Sequence, residues 1–151
     1  MTNEGGVGES MAWDRAGRVV ICVLGAELLA HREWIDFVQW MRTGIIPVKD
    51  TVALVRSLGG GPNTVQRGLL TDMFAAERAK PKTAVLTESA AARGFGVALS
   101  WFNPGVRVWS PDQIDAAFGH LALDDSERIE TSNILDRLRA TVQRSPIQQP
   151  P

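Results

Sequence analysis

The residues whose type and spacing best suit chemistry are three successive glycines, Gly59, Gly60 and Gly61, which follow an apolar, β-branched run. Glycine permits backbone dihedrals closed to other residues and leaves its N–H group uncovered. A helix-like pattern begins directly after Asn63, at Thr64, and a helix N-terminus attracts negative charge. These residues therefore predict a loop that binds a partner protein or a small anion.

Three interpretations of this loop stay open. The glycines could simply allow a tight connection between a strand and a helix, or they could form a docking loop for another protein. Anion or nucleotide binding comes third, because a phosphate loop has Lys and then Ser or Thr after its last glycine. Here Gly68 is followed by Leu69 and Leu70. The glycine spacing does not fit a dinucleotide-binding fingerprint either.

Composition limits the class of protein. The chain has 151 residues, with 16 basic and 17 acidic side chains and a net charge of −1. This balance argues against a protein that coats nucleic acid. No apolar run approaches the roughly 20 residues that span a bilayer, and the first residues lack a signal-peptide pattern. Cys22 is the single cysteine, which suits a reducing compartment. We therefore expect a cytoplasmic protein without nucleic-acid binding or membrane insertion.

The histidines, the cysteine and the serines of the sequence form no known catalytic or metal-binding motif. His31 and His120 are far apart in the sequence and belong to no zinc-ligand motif. The chain has no Gly-x-Ser-x-Gly elbow that would present a nucleophilic serine. We predict no catalytic residue, no metal and no cofactor, and hence a non-enzymatic role.

The elements that must position the loop alternate along the chain. An opening hairpin is predicted with strands at 10–13 and 18–24 and a turn over 14–17, in which Gly17 can take a positive φ. Its second strand is followed by helices near 28–43, 64–80, 89–102 and 110–123, and by strands near 51–55, 83–86 and 106–109. The order ββαβαβαβα predicts an α/β fold with a mostly parallel sheet. Asn63 and Gln66 fit a capping box for the second helix, with Pro62 in its first turn as the competing register. That helix is expected to bury Val65, Leu69, Met73 and Ala76.

The two ends of the chain are predicted to differ from this domain. Residues 1–8 and 144–151 are expected to be disordered, leaving a domain over 9–123 and an amphipathic helix within 124–143. We expect that helix to cover the bare face of the sheet or to make an oligomer contact. Leu138 on it, with Trp101 and Phe102 beside a predicted turn, are candidate interface residues, because large apolar side chains dominate protein interfaces.

Residues 10–123 resemble the STAS domain family, the anti-sigma-factor-antagonist fold, and in particular its small stand-alone bacterial members. The resemblance rests on the element order and on two local patterns. One is the glycine loop at 59–63 between a strand and its helix. The other is TAVLT at 83–87, a helix, and then VRVWSPDQIDAA at 106–117. The resemblance implies helices packed mainly on one side of the sheet, no cofactor, and regulation through binding of another protein.

The resemblance also implies a possible phosphate acceptor. In the antagonists, a serine at the start of the helix after the third strand is phosphorylated, which blocks partner binding. It usually lies in Asp-Ser-Ser or Asp-Ser-Thr before a glycine, whereas this chain has Pro62-Asn63-Thr64. Thr64, or Ser57 at the strand end, would be the acceptor. We thus predict a regulatory or scaffolding module that binds another protein through the glycine loop and the following helix; small-anion or nucleotide binding is the alternative.

Overall fold

The protein has an α/β fold, seen in a computed structural model that describes residues 4–100 and 103–143. One sheet contains β1 (Gly6–Val7), β2 (Met11–Ala16), β3 (Val19–Leu24), β4 (Val52–Ser57), β5 (Thr83–Thr87) and β6 (Val106–Trp109). The helices are α1 (His31–Arg42), α2 (Thr64–Ala76), α3 (Ala90–Ser100), α4 (Ile114–His120) and α5 (Asp125–Gln143). The predicted α/β class with a mostly parallel sheet is confirmed.

The strands lie side by side in the order in which they occur along the chain. β1 pairs antiparallel with β2, and β2 antiparallel with β3, whereas β3, β4, β5 and β6 run parallel. Ile21 therefore pairs with Leu54, which pairs with Ala84. Each parallel pair is joined by a helix, as a parallel connection requires.

The opening hairpin is present, with its turn further along than predicted. β2 continues to Ala16, and the chain turns at Gly17, whose φ of 55° is left-handed. Hairpin turns often need such a residue. The predicted disorder of residues 1–8 is wrong for Gly6 and Val7, which pair with Trp13 and Ala12.

The sheet has two apolar faces because side chains alternate along each strand. In β3 every residue is buried. Val19, Ile21 and Val23 face one core cluster, and Val20, Cys22 and Leu24 face the other. Burial raises the pKa of the Cys22 thiol, because the low-dielectric surroundings disfavour the thiolate. A strand enclosed on both faces explains the continuous apolar run in the sequence.

The helices are divided between the two faces, so the expectation that they lie mainly on one side needs correction. The first face carries α1, α2 and α3, with Trp34, Phe37 and Met73 in its core. The opposite face carries α4 and α5, with Phe118 and Leu138 in its core.

The last helix covers the second face of the sheet. Leu138 is 1% exposed and packs among strand side chains. It is therefore not available as an interface residue. Of the two roles considered for this helix, covering the bare face of the sheet is the one that matches its packing. Helix α5 begins at Asp125, and Asp124 and Glu127 form its capping box. The Asp124 N–H donates to the Glu127 carboxylate at 3.0 Å, and the Glu127 N–H donates to the Asp124 carboxylate at 2.8 Å.

Candidate functional site

The candidate site is the corner at which β4 leaves the sheet and α2 begins. The chain stays hydrogen bonded to the neighbouring strand end through two N–H groups: Leu58 donates to the Leu24 carbonyl at 2.8 Å, and Gly60 donates to the Gly25 carbonyl at 2.7 Å. The glycine loop thus lies against the β3–α1 connection, residues 25–30. This close approach fixes the corner to the sheet.

Each of the three glycines has a separate structural reason. Gly59 has φ 135°, in a region that other residues rarely adopt. A Cβ on Gly60 would overlap the carbonyl oxygens of Gly25 and Glu27, and one on Gly61 would lie 2.7 Å from a ring carbon of Phe95. Gly60 is also buried, so it cannot itself contact a partner.

The loop uses its N–H groups within the chain. The Gly59 N–H donates to the Ser57 hydroxyl at 3.1 Å, and the Asn63 N–H donates to the Gln66 side-chain oxygen at 2.9 Å. With the Gly60 bond, three loop donors are already engaged, and Pro62 has no N–H to offer. A phosphate cradle needs several donors converging on one anion. This hydrogen bonding weakens the loop as an anion site.

Gln66 holds the corner together, and its role was not foreseen beyond the cap. The predicted capping box is confirmed: the Gln66 N–H donates to the Asn63 side-chain oxygen at 2.8 Å. The Gln66 side chain is 1% exposed, and its amide nitrogen donates to the Leu29 carbonyl at 3.1 Å. The Gln66 carbonyl accepts from the Trp34 indole at 2.8 Å. One polar residue thus links α2 to α1 and to the β3–α1 connection.

Burial of Gln66 turns α2 relative to the predicted orientation. Val65 and Ala76, expected inside, are exposed, while Met73 is buried as expected. Val65 is 64% exposed, and Leu28 in the β3–α1 connection is 86% exposed. Leu28 precedes Leu29 and Val65 precedes Gln66, so each of these exposed residues is the chain neighbour of one partner in that hydrogen bond. We call Leu28, Gly59, Gly61, Asn63, Thr64 and Val65 the corner surface.

The two proposed phosphate acceptors differ in access. Ser57 is 2% exposed, and its hydroxyl donates to the Gly60 carbonyl at 2.6 Å. A kinase cannot reach that hydroxyl in the folded chain. Thr64 is exposed, and its hydroxyl accepts from the guanidinium of Arg67 at 3.2 Å. Thr64 is therefore the acceptor that the fold leaves accessible.

A polar hollow of about 570 Å³ lies beside the corner, at the carboxyl ends of the parallel strands. Its wall includes Arg56, Ser57, Glu88 and Ser89. One Arg56 nitrogen donates to the Ser57 carbonyl at 3.0 Å, while its Nε is buried without a hydrogen-bond partner in the described structure. Desolvation lowers the pKa of the Arg56 guanidinium. Ligands of open α/β sheets commonly bind at this end of the strands.

A larger and mostly apolar cavity of about 720 Å³ lies between the sheet and helices α2 and α3. Val55 and Val85 form its floor, Leu70 and Phe74 of α2 form one wall, and α3 contributes the opposite wall. The glycine loop closes one end. The first face of the sheet is therefore incompletely filled where α2 lies over it.

Trp101 and Phe102 lie outside the described residues. Within residues 4–100 and 103–143, no cluster of three or more His, Cys, Asp and Glu side chains is arranged to hold a metal ion. None of the helices in that part of the chain is long and apolar enough to cross a membrane.

Comparison of the chain with protein-family models, curated proteins and solved structures found no match. Nothing in these comparisons identifies a STAS domain, so the resemblance stays a prediction.

Proposed function

We propose that this chain is a non-enzymatic, STAS-like regulatory or scaffolding module that binds another protein through the corner surface. The observation that carries the proposal is the exposure of Leu28 and Val65, 86% and 64%, on a corner fixed by the buried Gln66. Large apolar side chains held on a rigid support suit protein binding, because little conformational entropy is lost on association.

The loop itself supplies the polar part of the proposed interface. Asn63 and Thr64 are exposed, and Gly59 and Gly61 are half-buried. An apolar pair beside polar groups matches the usual anatomy of a protein interface. The proposal includes a cytoplasmic location in a bacterial cell, where Cys22 would stay reduced. The partner is a different protein or a second copy of this chain.

The test is a pull-down with the full chain as bait, comparing the wild type with the double variant Leu28→Ser and Val65→Ser. Both side chains are exposed, so we expect an unchanged fold and at least a tenfold loss of the recovered partner. Ile129→Ser is the matched control, since Ile129 is 65% exposed on α5, on the opposite face. Size-exclusion chromatography of the same variants tests self-association.

Equal recovery by the double variant and the wild type would remove the corner surface from the interface. Loss of partner with Ile129→Ser but not with the double variant would assign binding to α5 instead. Circular dichroism of all three proteins establishes that the comparison is made between folded chains.

Phosphorylation of Thr64 would regulate this interface under the same proposal. A phosphate there would meet the guanidinium of Arg67 and the N-terminus of α2, both of which favour negative charge. It would also place a double charge beside Val65 and oppose apolar docking. The variant Thr64→Glu is expected to bind partner more weakly than Thr64→Val, measured in the same pull-down; equal binding would argue against the switch.

Small-anion or nucleotide binding is the alternative, and one observation favours a nearby position for it. Arg56 carries a buried, unpartnered Nε on the wall of the polar hollow that adjoins the loop. Titration with phosphate and then ATP, followed by tryptophan fluorescence, tests this alternative. A saturable change that Arg56→Gln abolishes would support it, and no saturable change in the wild type would exclude it.

A further inference from the structure

The apolar cavity under α2 has the size and lining of a ligand site. Its volume of about 720 Å³ lies within the range of roughly 300–1,000 Å³ that is common for small-molecule pockets. The space exists because α2 packs on α1 and stands away from the sheet. Aliphatic and aromatic side chains of the sheet and of helices α1, α2 and α3 line it, among them Val55, Leu70, Phe74 and Phe95.

The cavity extends along β4 and across the neighbouring strands of the sheet. Alternate residues of β4, from Ala53 to Ser57, line it, which corresponds to about 13 Å at the rise of a β-strand. The glycine loop lies at the carboxyl end of that strand, and Thr83 lies at the amino end of its neighbour. An apolar cavity that extends about 13 Å along a strand is long enough to take a hydrocarbon chain of medium length.

Two positively charged side chains lie at one end of the cavity. Arg78 and Lys80, just after α2, line the end near Thr83. Within the described residues, the ion pairs engage neither of these cations. Arg78 has φ 52°, a conformation at helix ends that glycine usually supplies. There the Arg78 N–H donates to the Ala75 carbonyl and the Ala79 N–H to the Phe74 carbonyl, which ends α2 and fixes the backbone that carries Arg78 and Lys80.

We propose that this cavity binds an acyl chain that ends in an anion. The hydrocarbon would lie along Val55, Val85 and Leu70, and its anionic head would pair with Arg78 and Lys80. A fatty acid and a single-chain phospholipid share this chemistry. The glycine loop borders both this cavity and the corner surface, but the residues proposed to hold the ligand differ from Leu28 and Val65, so the two proposals are tested with different variants.

Calorimetric titration of the full chain with laurate, below the concentration at which laurate forms micelles, tests the proposal. We expect saturable binding to one site. Dodecylammonium, which has the same chain length and the opposite charge, should bind at least tenfold more weakly. Lauroyl lysophosphatidate presents the chain on a phosphate: tighter binding than laurate assigns a lipid ligand, and weaker binding assigns a fatty acid. No saturable binding of either anion would overturn the proposal.

Two sets of variants test the apolar part and the charged part of the proposed site separately. The double variant Val55→Phe and Leu70→Phe fills the cavity, and we expect it to abolish laurate binding. Circular dichroism checks that this variant is folded. Arg78→Gly with Lys80→Gln removes the charges and relieves the backbone at residue 78. We expect about tenfold weaker laurate binding without loss of thermal stability, whereas Lys49→Gln, a cation outside the cavity, should bind as the wild type does.

Two results with these variants would contradict the proposal. Undiminished laurate binding by the filled variant would place any laurate site elsewhere and overturn the proposal. If the charge variant binds laurate as tightly as the wild type, the assignment of the anion to Arg78 and Lys80 is wrong. The partner pull-down uses different residues, so its result and this one can fail independently.

Discussion

The two faces of the sheet are both apolar, yet they are packed differently. On the face under α4 and α5, Phe118, Leu135, Leu138 and Val142 are all buried against strand side chains. On the face under α1, α2 and α3, helix α2 leaves a cavity of about 720 Å³, lined partly by half-buried residues. A close-packed face supports stability, because voids forfeit dispersion contacts. An incompletely filled face retains space that a ligand can occupy.

The largest expected contrast comes from truncating one leucine on each face. Leu138→Ala removes a side chain that is 1% exposed, and we expect it to lower the free energy of unfolding by about 2–5 kcal/mol. Leu70→Ala removes a half-buried side chain that already borders a cavity, and we expect about 1 kcal/mol or less. Urea denaturation of both variants measures the difference. Equal losses would show that the first face is as tightly packed as the second.

A second contrast lies within α3, where two glycines differ in what surrounds them. A Cβ on Gly96 would overlap Val108 Cγ2, whereas nothing lies within 4 Å of a Cβ on Gly94. Gly96→Ala is expected to lower stability by about 1–3 kcal/mol through overpacking. Gly94→Ala should raise it by up to about 1 kcal/mol, because alanine favours helix. Thermal melts of the pair test this, and a stabilising Gly96→Ala would mean that α3 lies further from β6 than described.

The smallest expected effect concerns the ion pair that joins the β2–β3 turn to α5. The Arg18 guanidinium lies 2.8 Å from a Glu127 carboxylate oxygen and lowers the pKa of that carboxyl through their hydrogen bond. Because the folded pKa is the lower one, this stabilisation is present above the unfolded value of about 4.3 and is lost as pH falls through the folded value.

Glu127→Gln keeps an oxygen for the helix cap and removes the charge. We expect it to cost less than about 1 kcal/mol at pH 7, since both side chains are partly exposed to solvent. The difference from the wild type should shrink as the pH is lowered below about 4. A difference that stays constant across this range would show that the carboxylate charge contributes nothing.

Sequence reasoning succeeded where a local pattern carried the information. The helical spacing of Trp34, Phe37, Val38 and Met41 identified the buried face of α1, and all four are buried. Gly17 marked the hairpin turn, and the Asn63–Gln66 pair marked the start of α2. In each case, a few neighbouring residues determine the structure through dihedral preference or side-chain hydrogen bonding.

The predictions that failed depended on contacts between distant elements. Val65 looks like a core residue in a helical pattern, and only the hydrogen bond from Gln66 to Leu29 turns it outward. Which face of the sheet α4 covers likewise depends on the course of the chain after β6. The cavity cannot be read from the sequence at all, because it reflects the distance between α2 and the sheet. The candidate site was therefore predictable as a location, but not in its exposed apolar residues.

The chain-order arrangement of the strands has a consequence for synthesis. Every strand after the first pairs with the one made just before it, so the sheet can grow in step with the ribosome, which delivers about 5–20 residues per second. Helix α5 emerges later than all six strands. Helix α5 packs mainly on β2 and β3, so Ala12, Val19 and Ile21 on that face stay uncovered until it arrives. A nascent chain stalled before residue 125 is thus a substrate for chaperones that bind apolar surfaces.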